Sequence, residues 1–171
     1  MKFFISVVGI VMVAAWMAPS VAEAQMVIVV RHAERADGGT AAPGATMTGA
    51  NDPALSAAGK ARAQALAAML KDAGVTAIYT TEYTRTKDTG APLAAALKIT
   101  AEVVPAREQA ALIAKIRATT TGAVLVVGHS NTVPAIIKAL GGADITLAET
   151  EYDSLFFVAP DGTTTRIRFK P

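Results

Sequence analysis

The chain holds two histidines, His32 and His129, and each follows directly on a short run of aliphatic residues. Met26-Val27-Ile28-Val29-Val30 leads into Arg31-His32-Ala33-Glu34-Arg35, and Ala123-Val124-Leu125-Val126-Val127 leads into Gly128-His129-Ser130-Asn131. Short apolar runs of this kind read as buried strands of a parallel sheet. Open α/β sheets hold their ligands at the carboxyl ends of such strands, so both imidazoles are expected at one sheet edge. A neutral imidazole, with an ordinary pKa of about 6.5, is a good nucleophile near neutrality. The guanidinium groups of Arg31 and Arg35 disfavour the charged ring and suit the oxygens of a tetrahedral phosphate. Tyr79-Thr80-Thr81-Glu82-Tyr83-Thr84-Arg85-Thr86 follows a third apolar run and opens a helix, which brings Arg85 to the same edge. Gly128 lets the backbone approach a ligand, and the helix after it offers free N–H groups to an anion. A site that handles phosphate is the expected chemistry, with His129 donating to a phosphate oxygen and the guanidinium groups meeting its charge.

The elements that must position these groups follow from patterning. Residues 26–30 form the first strand. A Gly/Pro/Asp-rich loop at 36–53 is long for a compact domain. Helical spacing runs from Pro53 to Ala73, with Ser56 as its cap and Gly74 as its stop. Arg62 falls within the apolar stripe of that helix and must therefore be paired or snorkelling. A strand at 75–80 precedes a helix at 84–97, interrupted near Gly90-Ala91-Pro92. A strand at 99–104 precedes a helix at 108–118 that turns Ala111, Leu112 and Ile116 inward. The strand at 123–127 leads to a helix at 132–140, capped by Asn131 or Ser130. Ser154 to Val158, the turn Pro160-Asp161-Gly162 and the alternation to Phe169 read as a hairpin. The expected fold class is α/β, a three-layer sandwich. Its central sheet is mostly parallel with helices on both faces, and it carries an antiparallel C-terminal edge hairpin.

The first 24 residues read differently. Lys2, the apolar stretch Phe3–Met17 and the ending Ala22-Glu23-Ala24 form a secretory signal peptide, with cleavage expected before Gln25. An uncleaved anchor is the alternative, since Phe3 to Ala22 approaches the ~20 apolar residues that span a bilayer. Residues 25–171 are then a single domain, periplasmic or secreted and free of the membrane once the leader is removed. The chain has no cysteine, which rules out a disulfide, a thiolate nucleophile and a thiolate metal site. Lys and Arg number 16 against 14 Asp and Glu, a formal net charge of +2. Residues 1–24 carry one charge of each sign, so their removal leaves the balance unchanged. That surplus is too small and too dispersed for nucleic acid.

Four motifs in order resemble the histidine phosphatase superfamily, the phosphoglycerate-mutase-like fold. They are Arg31-His32-Ala33-Glu34-Arg35, Leu55-Ser56-x-x-Gly59, Thr80-x-x-x-x-Arg85-Thr86-x-x-Thr89 and Gly128-His129-Ser130. The likeness spans Met26 to Phe169. It implies phosphoryl transfer without a cofactor or metal, through a transiently phosphorylated His32, with Arg31, Arg85 and His129 holding the phosphoryl oxygens. Arg35 matches a position where some branches carry a further phosphate-binding arginine. Ala33 stands where the motif usually has glycine. The short segment between Arg85 and His129 resembles the small, cap-poor branch, which includes phosphohistidine phosphatases. Ser130 replaces the aspartate that protonates the leaving group in the acid-phosphatase branch. Glu108 is the nearest candidate general acid by order, with Glu34 and Glu82 behind it.

The expected function is an exported phosphatase acting on small phosphomonoesters. The alternatives are a phosphohistidine phosphatase and a non-catalytic phosphate- or phosphosugar-binding protein on the same fold. A metal-dependent hydrolase is disfavoured, because two histidines without cysteine or clustered carboxylates make a poor metal site.

Overall fold

A computed structural model of the chain describes residues 25–38 and 52–171. The expected leader and most of the 36–53 loop lie outside the described residues. Six strands form one sheet: β1 (Val27–Arg31), β2 (Val75–Thr80), β3 (Glu102–Val103), β4 (Ala123–Gly128), β5 (Ser154–Val158) and β6 (Thr164–Arg168). Their spatial order is β3-β2-β4-β1-β5-β6. β3, β2, β4 and β1 run parallel, while β5 is antiparallel to both β1 and β6. The mostly parallel sheet with an antiparallel hairpin edge is the arrangement the patterning predicts.

Among the described residues four helices cover the two faces: α1 (Ala57–Leu70), α2 (Thr84–Leu97), α3 (Gln109–Ala118) and α4 (Thr132–Ala139). Successive strand residues point to opposite faces, and the core divides accordingly. Ile28, Val30, Ile78, Leu125, Val127 and Leu155 pack with Leu66 and Leu70 of α1 and Leu93 of α2. Val27, Val29, Val124, Val126 and Phe156 pack on the other side with Leu112 and Ile116 of α3 and Ile136 and Ile137 of α4. β1 and β4 are buried along their whole length, which is why each reads as an unbroken apolar run. Among the described residues no helix is long and apolar enough to cross a membrane.

Some local expectations change. α2 runs unbroken through Pro92. Loss of one backbone hydrogen bond there is outweighed by packing, since the next residue, Leu93, is completely buried. The expected strand at 99–104 pairs only over Glu102–Val103, because this edge meets β2 at Tyr79 and Thr80 alone. On α3 it is Ile113, with Leu112 and Ile116, that turns inward, and Ala111 is exposed. Ser56 does cap α1, accepting from the Gly59 N–H at 3.0 Å. Arg62 is paired as its burial requires. It donates to both oxygens of Glu34 at 2.6–2.9 Å and to the Phe169 carbonyl at 3.0 Å. Gly59 makes this junction possible, since a Cβ there would lie 2.2 Å from the Glu34 carbonyl oxygen. α1 is thereby locked to the segment that follows β1.

Candidate active site

The parallel register pairs Arg31 with Gly128, and the His32 N–H continues it by donating to the Gly128 carbonyl at 2.9 Å. Two histidines far apart in sequence therefore become neighbours, with ring centroids 5.3 Å apart and planes at 63°. A Cβ on Gly128 would lie 2.7 Å from Thr132 Oγ1, so glycine gives α4 room to start immediately. The expected caps of α4 are not used. Asn131 makes no side-chain cap, Ser130 turns away to Glu149, and Thr132 Oγ1 instead accepts from the His129 N–H at 2.8 Å.

His32 is 3 % exposed, and its Nδ1 lies 2.8 Å from the carbonyl of Ala33. A carbonyl only accepts, so the proton sits on Nδ1 and Nε2 presents its lone pair. Burial pushes the ring's pKa down to about 2; the Ala33 bond opposes this, while His129, Arg31 and Arg85 add to it. The turn bearing Ala33 is itself fixed. The Ala33 N–H donates to Thr89 Oγ1 at 2.9 Å, and that hydroxyl donates to the Arg85 carbonyl at 2.7 Å.

His129 holds the opposite tautomer. Its Nδ1 lies 3.4 Å from Arg85 Nη2, and a guanidinium only donates, so Nδ1 accepts and Nε2 carries the proton. Nε2 donates to Thr81 Oγ1 at 2.9 Å, Thr81 to Thr86 Oγ1 at 2.8 Å, and Thr86 to the Tyr83 carbonyl at 2.8 Å. Burial lowers this pKa to about 3, reinforced by Arg85 and Arg31 and opposed by Asp52.

Three arginines surround the pair. Arg31 and Arg85 are buried, and their guanidinium groups stack on Tyr152 at 4.1 Å and Tyr83 at 4.4 Å. Arg31 Nη1 donates to the carbonyls of Ala148 at 2.9 Å and Glu149 at 2.5 Å, and Nη2 donates to the Glu149 carboxylate at 3.1 Å. Arg85 Nη1 reaches Asp52 at 3.4 Å, and Asp52 also takes the Thr84 N–H at 2.8 Å, capping α2 from outside. Arg35 pairs with Asp37. The Nε–H groups of Arg31, Arg35 and Arg85 are buried with no hydrogen-bond partner among the described residues. A buried donor left unpaired costs about 1–3 kcal/mol, and charged donors beside two neutral rings are what an oxyanion would satisfy.

The fold thus brings together Arg31, His32, Arg85 and His129, with Arg35 at the margin. It does not bring Glu108 to them. That residue precedes α3, about half exposed, with its carboxylate 4.0 Å from Arg107. Glu34 is bound by Arg62, and Glu82 accepts the Ala106 N–H at 2.8 Å. Thr81, Tyr83, Asp52, Glu149 and Tyr152 were not singled out by sequence reasoning. A signal existed for the last two. If the hairpin pairs antiparallel with β1, the residues just before it must fall beside Arg31, and Val30 does pair with Leu155.

A family model described as the histidine phosphatase superfamily (branch 1) matches residues 27–111. No curated protein matches the sequence. Among solved structures, the Agrobacterium tumefaciens protein taken to be the phosphohistidine phosphatase SixA is 24% identical, with a TM-score of 0.62. That alignment covers 85% of this chain and 97% of that one. A protein histidine phosphatase SixA complexed with tungstate is 19% identical at a TM-score of 0.60, covering 83% and 94%. A mycobacterial glucosyl-3-phosphoglycerate phosphatase is 16% identical at 0.59, covering 86% and 99%. At these identities the likeness establishes the fold.

Proposed function

We propose, from the premise that this chain belongs to the histidine phosphatase superfamily, that it hydrolyses small phosphomonoesters through a phosphohistidine formed on His32. The observation that carries the reading is the set of three buried arginine Nε–H groups, without a hydrogen-bond partner among the described residues, near a neutral imidazole whose Nε2 carries a lone pair. Nε2 attacks phosphorus as the bond to the ester oxygen breaks. The proton stays on Nδ1, hydrogen-bonded to the Ala33 carbonyl throughout, so the ring can carry the phosphoryl group without rearranging. Arg31 and Arg85 hold the phosphoryl oxygens, His129 joins them by exchanging Thr81 for a phosphoryl oxygen as the acceptor of its Nε2–H, and Arg35 is a further contact. Water then attacks phosphorus, the P–N bond breaks, and phosphate leaves. Guanidinium charge meets the charge of the transferring group, and the reaction proceeds without a metal. We also propose that the protein is exported, with residues 1–24 removed, on the basis of their basic start, apolar middle and small-residue ending.

A second reading, a phosphohistidine phosphatase, is favoured by one observation. Two of the fold neighbours carry that activity in their names, at 24% and 19% identity. The test is phosphate release by the full chain from p-nitrophenyl phosphate in EDTA, beside His32→Ala, with denaturing quench to trap the phosphoprotein. Turnover in chelator, an acid-labile phosphoprotein, and loss of both in His32→Ala by about 10³-fold or more are expected, because a nucleophile has no substitute. Turnover of a phosphohistidine peptide alone would select the second reading. Phosphate binding with no turnover of either substrate would make the protein a non-catalytic binder.

A further inference from the structure

Protonation of the leaving oxygen is the part of the reaction that the four-residue set leaves unassigned. An alkoxide leaves badly without a proton, and general acid catalysis supplies one from a positioned group. Most carboxylates near the site are committed elsewhere. Glu34 is held by Arg62, Asp52 by Thr84 and Arg85, Asp37 is paired with Arg35, and Glu82 is tied to the Ala106 N–H. Glu151 is engaged by Ser154 and by the arginines of β6.

Glu149 is placed differently. Its Oε2 lies 3.1 Å from Arg31 Nη2, and its Oε1 accepts from Ser130 Oγ at 2.5 Å, one residue from His129. Its backbone carbonyl also accepts from Arg31 Nη1. Three bonds therefore fix this residue between the two strand ends that carry the histidines. Its side chain is nonetheless 81 % exposed, against 4 % for Arg31, so it can exchange protons with bulk water.

We infer that Glu149, positioned by Ser130 and Arg31, is the proton donor and acceptor of the phosphoryl-transfer cycle. The inference rests on the phosphatase reading. In the first step the Glu149 carboxyl gives its proton to the ester oxygen as the P–O bond breaks and the Nε2–P bond forms. In the second, the Glu149 carboxylate takes a proton from water as the water oxygen bonds to phosphorus and the P–N bond breaks. The carboxyl is restored and the cycle closes.

The test is the dependence of kcat/KM on the leaving group, measured on the full chain with p-nitrophenyl, phenyl and glycerol phosphates. Wild type, Glu149→Gln, Ser130→Ala and His32→Ala are compared. Glutamine keeps an acceptor oxygen for Arg31 and can donate its amide N–H to Ser130 Oγ, and thermal unfolding of each variant reports its fold. Glu149→Gln should fall only about threefold on p-nitrophenyl phosphate, whose anion leaves unaided. On phenyl and glycerol phosphates it should fall by about 10²-fold or more, and the alkaline limb of the phenyl phosphate pH profile should vanish. Ser130→Ala should show the same selectivity to a smaller extent. An equal loss on all three esters would make Glu149 a binding group, and a gain on all three would make it a competitor for Arg31. Either result overturns the inference while His32→Ala remains inactive and wild type active. A wild type inactive on every ester overturns the phosphatase reading itself.

Discussion

His32 and His129 are the same side chain at the ends of adjacent parallel strands, both buried, and they are held in opposite ways. His32 is anchored by its own backbone, through Nδ1 to the next carbonyl, and its Nε2 makes no hydrogen bond among the described residues. His129 is engaged at both nitrogens, by Arg85 on one side and by a chain of hydroxyls on the other. One ring is left open for bond formation and the other is tied into a network suited to holding. Burial is not the source of the difference, since it pushes both rings to neutrality. Hydrogen-bond partners divide the labour.

The contrast can be broken at several points. His32→Ala should cost about 10³-fold or more in turnover, whereas His129→Ala should cost about 10²-fold, the scale of one lost oxyanion donor. Equal losses in the two, measured with the same ester, would erase the distinction between attacking and holding rings. Arg85→Ala should lie close to His129→Ala, at about 10²-fold with the fold retained, because it contacts both the anion site and the second ring. Thr81→Val removes the acceptor that fixes the His129 tautomer but touches nothing else at the reacting centre. One hydrogen bond of about 1 kcal/mol predicts a five- to tenfold loss, roughly, and Thr81→Ser should restore activity.

Stability sharpens the comparison from another side. Both rings are neutral in the fold, with pKa values of about 2 and 3, while in the unfolded chain each titrates near the ordinary value of about 6.5. Below that value the unfolded state binds more protons, so stability falls as pH drops. Each ring contributes up to about 1.4 kcal/mol per pH unit. Denaturant unfolding between pH 7 and pH 5 should show this decline, and His129→Gln should reduce its slope. An unchanged slope in that variant would mean that His129 titrates alike in both states.

The first part of the molecule was readable because its signals are local. β1 and β4 are buried on both faces, so their apolar runs and the histidines after them mark strand ends directly. Ser56 and Gly59 form a junction within four residues. The rest depends on contacts between distant segments. Glu149 and Tyr152 lie outside any strand or helix, and only the β1–β5 register brings them to Arg31 and His32. Asp52 caps a helix that begins 32 residues later. Ser130 and Asn131 sit where capping chemistry is expected, yet a carboxylate from another loop claims Ser130 and α4 starts without either. The same limit applies to Glu108, whose order along the chain makes it a candidate acid and whose place before α3 sets it beside Arg107.

The neighbours of β1 carry a consequence for timing. β1 comes first among the described strands, yet it lies between β4 and β5, and Arg31 is gripped by carbonyls more than a hundred residues downstream. Pairings of such high sequence separation form late and slowly. A ribosome-bound chain that has released β1, α1 and β2 therefore holds His32 at the end of an unpaired strand. Only when the hairpin emerges can the pocket acquire its charge and shape. A site built this way is incomplete until the β5–β6 hairpin arrives to close it.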